Sequence, residues 1–125
     1  MAKVLIVDDA LFAREKLKQC LETGGHETIE AETGEGAIVK FKKEKPDIVL
    51  LDIIMERTPG DVVLEQMVEW NPKAKVIMVT AVGQKDQMRD CFKKGAIDYL
   101  VKPLAKDKVL EAIQKVLESN KNMKK

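Results

Sequence analysis

The stretch Lys3-Val4-Leu5-Ile6-Val7-Asp8-Asp9 decides the expected fold of this chain. Its apolar, partly β-branched run predicts a buried strand, and the two carboxylates that follow mark the carboxyl end of that strand. The run is shorter than the apolar segment of a secretion signal, and no small-residue cleavage site follows it. We therefore expect a cytoplasmic protein.

Four further segments have similar length and β-branched content, at residues 28–31, 48–51, 76–79 and 97–101. Amphipathic helical patterns follow the strands, at residues 10–23, from 34 onward, 61–70, 85–94 and 106–119. Thr33 is the expected N-cap of the second helix. Alternating strands and helices predict an α/β fold with a five-stranded parallel sheet and helices on both faces. The half-polar segment 28–31 is expected at a sheet edge.

Length and composition narrow the class of protein further. The chain of 125 residues fits one domain, which we place at residues 3–119, followed by a polar basic tail at 120–125 that is expected to fray. Its 22 Lys and Arg nearly balance 21 Asp and Glu, so the net charge of +1 excludes a polybasic nucleic-acid binder. No apolar run approaches the roughly 18 residues that a membrane span needs. Cys20 and Cys91 are expected to be buried thiols rather than a disulfide.

Polar side chains stand where the predicted strands end: Asp8, Asp9, Asp52, Thr80 and Lys102. In an open parallel sheet, the carboxyl ends of the strands form the ligand-binding edge. Clustered carboxylates repel one another, and an all-oxygen ligand set favours a hard cation such as Mg²⁺, with Mn²⁺ as an alternative. A carboxylate beside such a cation can accept a phosphoryl group.

Each of these residues also has an ordinary structural interpretation. Asp8 and Asp9 could cap the first helix, Asp52 could begin a turn, Thr80 could cap a helix, and Lys102 could be a solvated charge. Any one of these interpretations alone is reasonable. All five residues falling at strand ends on one edge is much less probable by chance.

Four motifs make the chain resemble the receiver domain of two-component response regulators. They are Val4-Leu5-Ile6-Val7-Asp8-Asp9, the segment from Lys45 to Asp52, Val79-Thr80-Ala81, and the segment from Gly95 to Lys102-Pro103. The resemblance covers about residues 3–117. It implies a flavodoxin-like sheet with the strand order 2-1-3-4-5. Within the family, stand-alone chemotaxis regulators are the most similar members.

The resemblance implies a role for each matching residue. Asp52 is implied as the phosphoacceptor, with Asp9, Asp52 and the Ile54 carbonyl as direct Mg²⁺ ligands and Asp8 supporting the metal through water. Lys102 would pair with the phosphoryl oxygens. Thr80 and Tyr99 would form the switch, and the peptide bond before Pro103 is expected to be cis.

The resemblance also implies partners. A sensor histidine kinase would donate the phosphoryl group, and a target protein would bind the surface of the fourth helix, fifth strand and fifth helix. The alternative is a phosphorelay intermediate or phosphate sink without its own output. We expect a monomer that neither binds nucleic acid nor enters a membrane. Beyond Mg²⁺-dependent phosphorylation and slow dephosphorylation of itself, no turnover of a separate substrate is expected.

This chain departs from the family pattern after the acceptor residue. The family commonly has Met-Pro there, whereas Met55 is followed by Glu56, which adds a negative charge near the acidic site. Ile54 and Val82, two residues past Asp52 and Thr80, are apolar. They provide no group to orient an attacking water, so we predict a long-lived aspartyl phosphate. Ile54 also stands where an aspartyl-phosphate phosphatase would need its second Asp.

Overall fold

The computed structural model describes residues 2–81 and 83–123 of the chain. Within them, the strands form one parallel sheet in the order β2-β1-β3-β4-β5, which confirms the predicted fold class. The strands are β1 (Lys3–Val7), β2 (Glu27–Ala31), β3 (Ile48–Asp52), β4 (Val76–Thr80) and β5 (Asp98–Val101). The half-polar strand β2 lies at an edge, as expected.

A helix follows each strand: α1 (Leu11–Thr23), α2 (Gly34–Glu44), α3 (Gly60–Trp70), α4 (Lys85–Lys93) and α5 (Lys106–Met123). Thr33 caps α2, because its hydroxyl oxygen accepts a hydrogen bond from the Gly36 amide at 3.0 Å. No helix in the described part of the chain is long and apolar enough to cross a membrane.

Two apolar clusters fix the helices to opposite faces of the sheet. Alternate residues of β1, such as Leu5 and Val7, pack with α2, α3 and α4. Their neighbours Val4 and Ile6 pack with α1 and α5 on the other face. The central strands are therefore buried on both sides, as an all-parallel sheet requires. The carboxyl edge of the sheet, where the loops leave the strands, stays open for a site.

For most elements, the observed boundaries lie within one residue of the predicted ones. The difference is larger at α5. This helix continues to Met123, whereas the sequence placed its end at Ser119. Neither Gly nor Pro occurs between these two residues, so the chain lacks a helix stop there. Lys124 and Lys125, the end of the predicted frayed tail, lie outside the described residues, as does Val82.

The two thiols are both free. Cys91 is buried in the core, as expected. Cys20 is only half-buried, because it lies at the edge of the contact between α1 and α5, where its Sγ approaches the Lys106 carbonyl oxygen at 3.6 Å.

Candidate functional site

The sheet register brings the predicted polar residues to one edge. Val7 is paired with Leu51, so Asp8 and Asp52 both lie at the adjoining carboxyl ends of β1 and β3. Thr80, the last residue of β4, is paired with Val101 of β5. The Lys102 amide, one residue further, donates a hydrogen bond to the Thr80 carbonyl oxygen at 2.7 Å. The peptide bond between Lys102 and Pro103 is cis.

Asp8, Asp52 and Lys102 form the centre of the site. The Lys102 Nζ lies 2.9 Å from Asp52 Oδ2 and 3.3 Å from Asp8 Oδ2. Both aspartates are nearly fully buried, with 2% of Asp8 and 7% of Asp52 exposed. One ammonium thus serves two buried carboxylates, and the cluster keeps a net negative charge.

The second oxygen of each buried carboxylate accepts a backbone hydrogen bond. Asp8 Oδ1 accepts from the Ala10 amide at 2.9 Å, and Asp52 Oδ1 accepts from the Ile54 amide at 3.1 Å. In both cases the donor is two residues further along the chain, which is the geometry of an Asx turn. These turns hold the carboxylates in place at the points where the chain leaves β1 and β3.

Burial and neighbouring charges shift the pKa values of Asp52 and Lys102. Burial raises the pKa of Asp52, and the charge of Asp8 raises it further, while the hydrogen bond from Lys102 opposes the shift. Burial alone would lower the pKa of Lys102, but its hydrogen bond and charge interaction with Asp52 raise it above its usual value. Lys102 is therefore held as a cation beside carboxylates that have lost much of their solvation.

Asp9 stands apart from this cluster. Its side chain is exposed, and its Oδ2 accepts a hydrogen bond from the Glu56 amide at 2.9 Å. Within residues 2–81 and 83–123, no three acidic, histidine or cysteine side chains lie close enough together to form a ready metal cage. The acidic side chains of Asp8 and Asp52 nonetheless offer oxygen atoms as metal ligands, the type that Mg²⁺ prefers. The excess negative charge of these two carboxylates also favours binding of a cation.

The two predicted switch residues differ in burial. Thr80 is 3% exposed, and its hydroxyl donates to the Ala81 carbonyl oxygen at 3.2 Å. Tyr99 is 45% exposed and packs edge-to-face against Phe92 of α4, with 6.0 Å between the ring centroids. The Ile54 side chain, which follows Asp52 by two residues, is 59% exposed.

Two residues that support the site were not assigned this part from the sequence. Arg14 is buried, donates from Nη1 to the Asp8 carbonyl oxygen at 2.8 Å, and reaches Glu30 Oε1 from Nε at 3.4 Å. A signal was available, because α1 places a cation on its otherwise apolar face. Gly60 donates its amide to the Ile53 carbonyl oxygen at 2.7 Å. A Cβ atom on Gly60 would lie 2.1 Å from the Asp52 carbonyl oxygen.

Comparison with known proteins identifies the class to which this fold and site belong. The protein-family model described as the response regulator receiver domain matches residues 4–114 of the sequence. The chain therefore belongs to the response regulator receiver domain family. It is a receiver-domain signalling switch, of a family that works with histidine kinases and generally binds Mg²⁺ for phosphorylation.

Individual relatives refine this assignment. The chain is 47% identical to the chemotaxis protein CheY of Listeria monocytogenes over 116 residues, covering 92% of this chain and 98% of the relative. It is 42% identical to the protein CcdB of Bacillus subtilis, covering 94% and 98%. Among solved structures, NtrX of Brucella abortus superposes with a TM-score of 0.90 at 27% identity. That match covers 98% of this chain but only 28% of the NtrX chain.

Proposed function

We propose that this protein is a stand-alone response regulator of chemotaxis type, switched by phosphorylation of Asp52. The observation that carries the assignment is the Asp8–Lys102–Asp52 cluster at the carboxyl edge of the sheet, in which both carboxylates are buried. We take Asp52 as the acceptor because the family resemblance implies it, because it ends the central strand β3, and because it makes the shorter of the two contacts with the Lys102 ammonium, 2.9 Å against 3.3 Å for Asp8. The identity of 47% to a CheY of similar length supports the chemotaxis role. We propose a cytoplasmic location for the protein.

The proposed reaction is transfer of a phosphoryl group from a histidine of the kinase to Asp52. A carboxylate oxygen attacks phosphorus, the N–P bond breaks as an O–P bond forms, and the imidazole leaves with the electron pair. The Lys102 ammonium then faces new negative charge on the phosphoryl oxygens. Bound Mg²⁺ would neutralise charge on the transferring group. Asp8, Asp9, Asp52 and the Ile54 carbonyl are the residues proposed to hold it.

The proposed switch runs from Thr80 to the surface formed by α4, β5 and α5. The phosphate adds acceptor oxygens to which the Thr80 hydroxyl, now bonded to a neighbouring carbonyl, can turn. Because Tyr99 packs on Phe92 at an exposed position, a rotamer change there would alter the apolar surface that a target protein contacts. The second candidate, a phosphate sink, keeps the phosphoryl chemistry but not this output.

Acetyl phosphate and Mg²⁺ test the acceptor assignment. Wild-type protein is expected to gain one phosphoryl group by mass spectrometry, and Asp52→Asn is expected to gain none. Asp86→Asn, which changes an exposed aspartate of α4, is the matched control and should behave as wild type. A gain of one phosphoryl group by Asp52→Asn would overturn the assignment.

A beryllofluoride-loaded protein separates the switch from the sink. If the protein is a switch, beryllofluoride should tighten its binding to a flagellar-motor or chemoreceptor-pathway protein, and Tyr99→Ala should lose this gain. Equal binding by the loaded and unloaded forms, with normal phosphorylation of Asp52, would favour the sink.

A further inference from the structure

The β3–α3 loop makes a direct contact with the acidic pair that follows β1. The Glu56 amide lies 2.9 Å from Asp9 Oδ2, although the two residues are 47 positions apart in the chain. Both side chains are exposed, and both residues line a cleft of about 280 Å³ between this loop and the start of α2. The contact therefore joins two solvent-accessible segments at the entrance of the site.

This hydrogen bond depends on which residue type stands at position 56. It uses the backbone N–H, which every residue except proline has. A proline at this position would leave Asp9 Oδ2 without this donor. Glu56 thus provides an amide aimed at one of the proposed metal ligands.

Asp9 takes its hydrogen bond from the loop and lies outside the buried cluster. Asp8 and Asp52 share the Lys102 ammonium, while the Asp9 carboxylate is held by the loop. An amide donor to an ionised carboxylate forms a charge-assisted hydrogen bond, which is stronger than one between neutral groups. A cation and this amide would compete for the same negative charge on Asp9.

We propose that the Glu56 backbone amide is a positioning group that restrains Asp9 and lowers the Mg²⁺ affinity of the unphosphorylated protein. The inference rests on the proposed function, because it takes Asp9 as a metal ligand. Its consequence is that the conformation of the β3–α3 loop and metal binding are coupled. Release of Asp9 from Glu56 accompanies metal binding, so the loop changes its backbone hydrogen bonding when the site fills.

Two variants isolate the amide from the charge of the side chain. Glu56→Pro removes both the N–H and the carboxylate, whereas Glu56→Ala removes the carboxylate alone. Titration calorimetry with MgCl₂ gives the Kd for each protein, without any phosphodonor. Because a hydrogen bond to a charged group is stronger than one between neutral groups, we expect Glu56→Pro to bind Mg²⁺ about five- to twentyfold more tightly than Glu56→Ala. Equal or weaker binding by Glu56→Pro would overturn the proposal.

A measurement on the wild type avoids dependence on the folding of a proline variant. The exchange rate of the Glu56 amide proton, followed by NMR, should rise at least severalfold on addition of saturating Mg²⁺. Unchanged or slower exchange in protein that binds Mg²⁺ would mean that the amide keeps Asp9 during binding, and the proposal would be wrong. Absence of Mg²⁺ binding in wild type and both variants would instead refute the metal site of the proposed function.

Discussion

Lys102 Nζ lies 2.9 Å from Asp52 Oδ2, and this contact joins the loop after β5 to the end of β3. The same ammonium reaches Asp8 at 3.3 Å, so one partly exposed cation balances two nearly buried anions. Removal of one partner from such a cluster leaves charge in a poorly solvated place, which is more costly than loss of a surface ion pair.

Lys102→Met should therefore destabilise the metal-free protein. We expect the free energy of unfolding to fall by about 1–3 kcal/mol, because the two carboxylates then repel each other without a cation. The loss is smaller than the roughly 3–5 kcal/mol of a fully buried pair because Lys102 is partly exposed. Urea unfolding followed by circular dichroism measures the change. Added Mg²⁺ should raise the urea midpoint more in the variant than in wild type. Lys106→Met, an exposed change at the start of α5, is the control and should change stability little.

Arg14→Met should destabilise the protein although Arg14 touches no carboxylate of the cluster. Its Nη1 donor to the Asp8 carbonyl oxygen would be lost, which is expected to lower the free energy of unfolding by about 1–3 kcal/mol. Lys18→Met provides the comparison, because Lys18 pairs with the same Glu30 at 3.7 Å but is far more exposed. A similar loss in both variants would contradict a special role for the buried guanidinium.

Gly60→Ala should distort the β3–α3 loop that follows Asp52. The new Cβ would lie 2.1 Å from the Asp52 carbonyl oxygen and 2.7 Å from Ile53 Cα, and backbone atoms cannot move aside as a side chain can. We expect the free energy of unfolding to fall by about 1–3 kcal/mol, and phosphorylation by acetyl phosphate to become slower. In Gly36→Ala the nearest obstacle is the Thr33 hydroxyl oxygen at 3.0 Å, so that variant should lose less.

His26 should make stability depend on pH. Its Nδ1 accepts a hydrogen bond from the Ala2 amide at 3.0 Å, and burial lowers the pKa of the imidazole below 6.5. Above pH 6.5 the imidazole is neutral in the folded and unfolded chains. As the pH falls below 6.5, the unfolded chain binds the proton first, so stability decreases toward the lowered folded-state pKa.

Urea unfolding of wild type and His26→Gln at pH 7.5, 6.5 and 5.5 measures this dependence. The glutamine variant does not titrate, so the stability lost by wild type between pH 6.5 and 5.5 should exceed the loss in the variant. Parallel losses in the two proteins would contradict the role assigned to the imidazole.

Ile54→Asn combined with Val82→Glu should shorten the lifetime of the aspartyl phosphate. Asn and Glu can hydrogen-bond a water molecule, which the apolar Ile54 and Val82 cannot, and the Ile54 side chain is already exposed two residues after Asp52. We expect dephosphorylation at least about tenfold faster, a barrier lower by about 1.4 kcal/mol. Loss of phosphate at the wild-type rate from a normally phosphorylated double variant would contradict the predicted long lifetime.

The sequence predicted the elements better than it predicted their ends. Apolar β-branched runs and amphipathic periods identify strands and helices directly, which is why the elements and both helix layers agreed with expectation. The strand order, which the family resemblance implied, also agreed with the structure. The end of α5 was wrong because the residues after Ser119 are polar without being helix-breaking. Burial of Cys20 was overestimated because helical spacing does not reveal how closely a neighbouring helix covers a face.

The sequence by itself determined that acid, hydroxyl and amine side chains end the strands, since a parallel sheet places every strand's carboxyl end at one edge. Only the tertiary structure decided how these groups pair. Asp8 and Asp9 are adjacent in the chain, yet one is buried on Lys102 and the other is exposed on the Glu56 amide. Sequence spacing fixes the strand end at which a side chain stands. The loops bring residues from distant positions in the chain to this edge, and they determine which hydrogen-bond donor contacts each side chain.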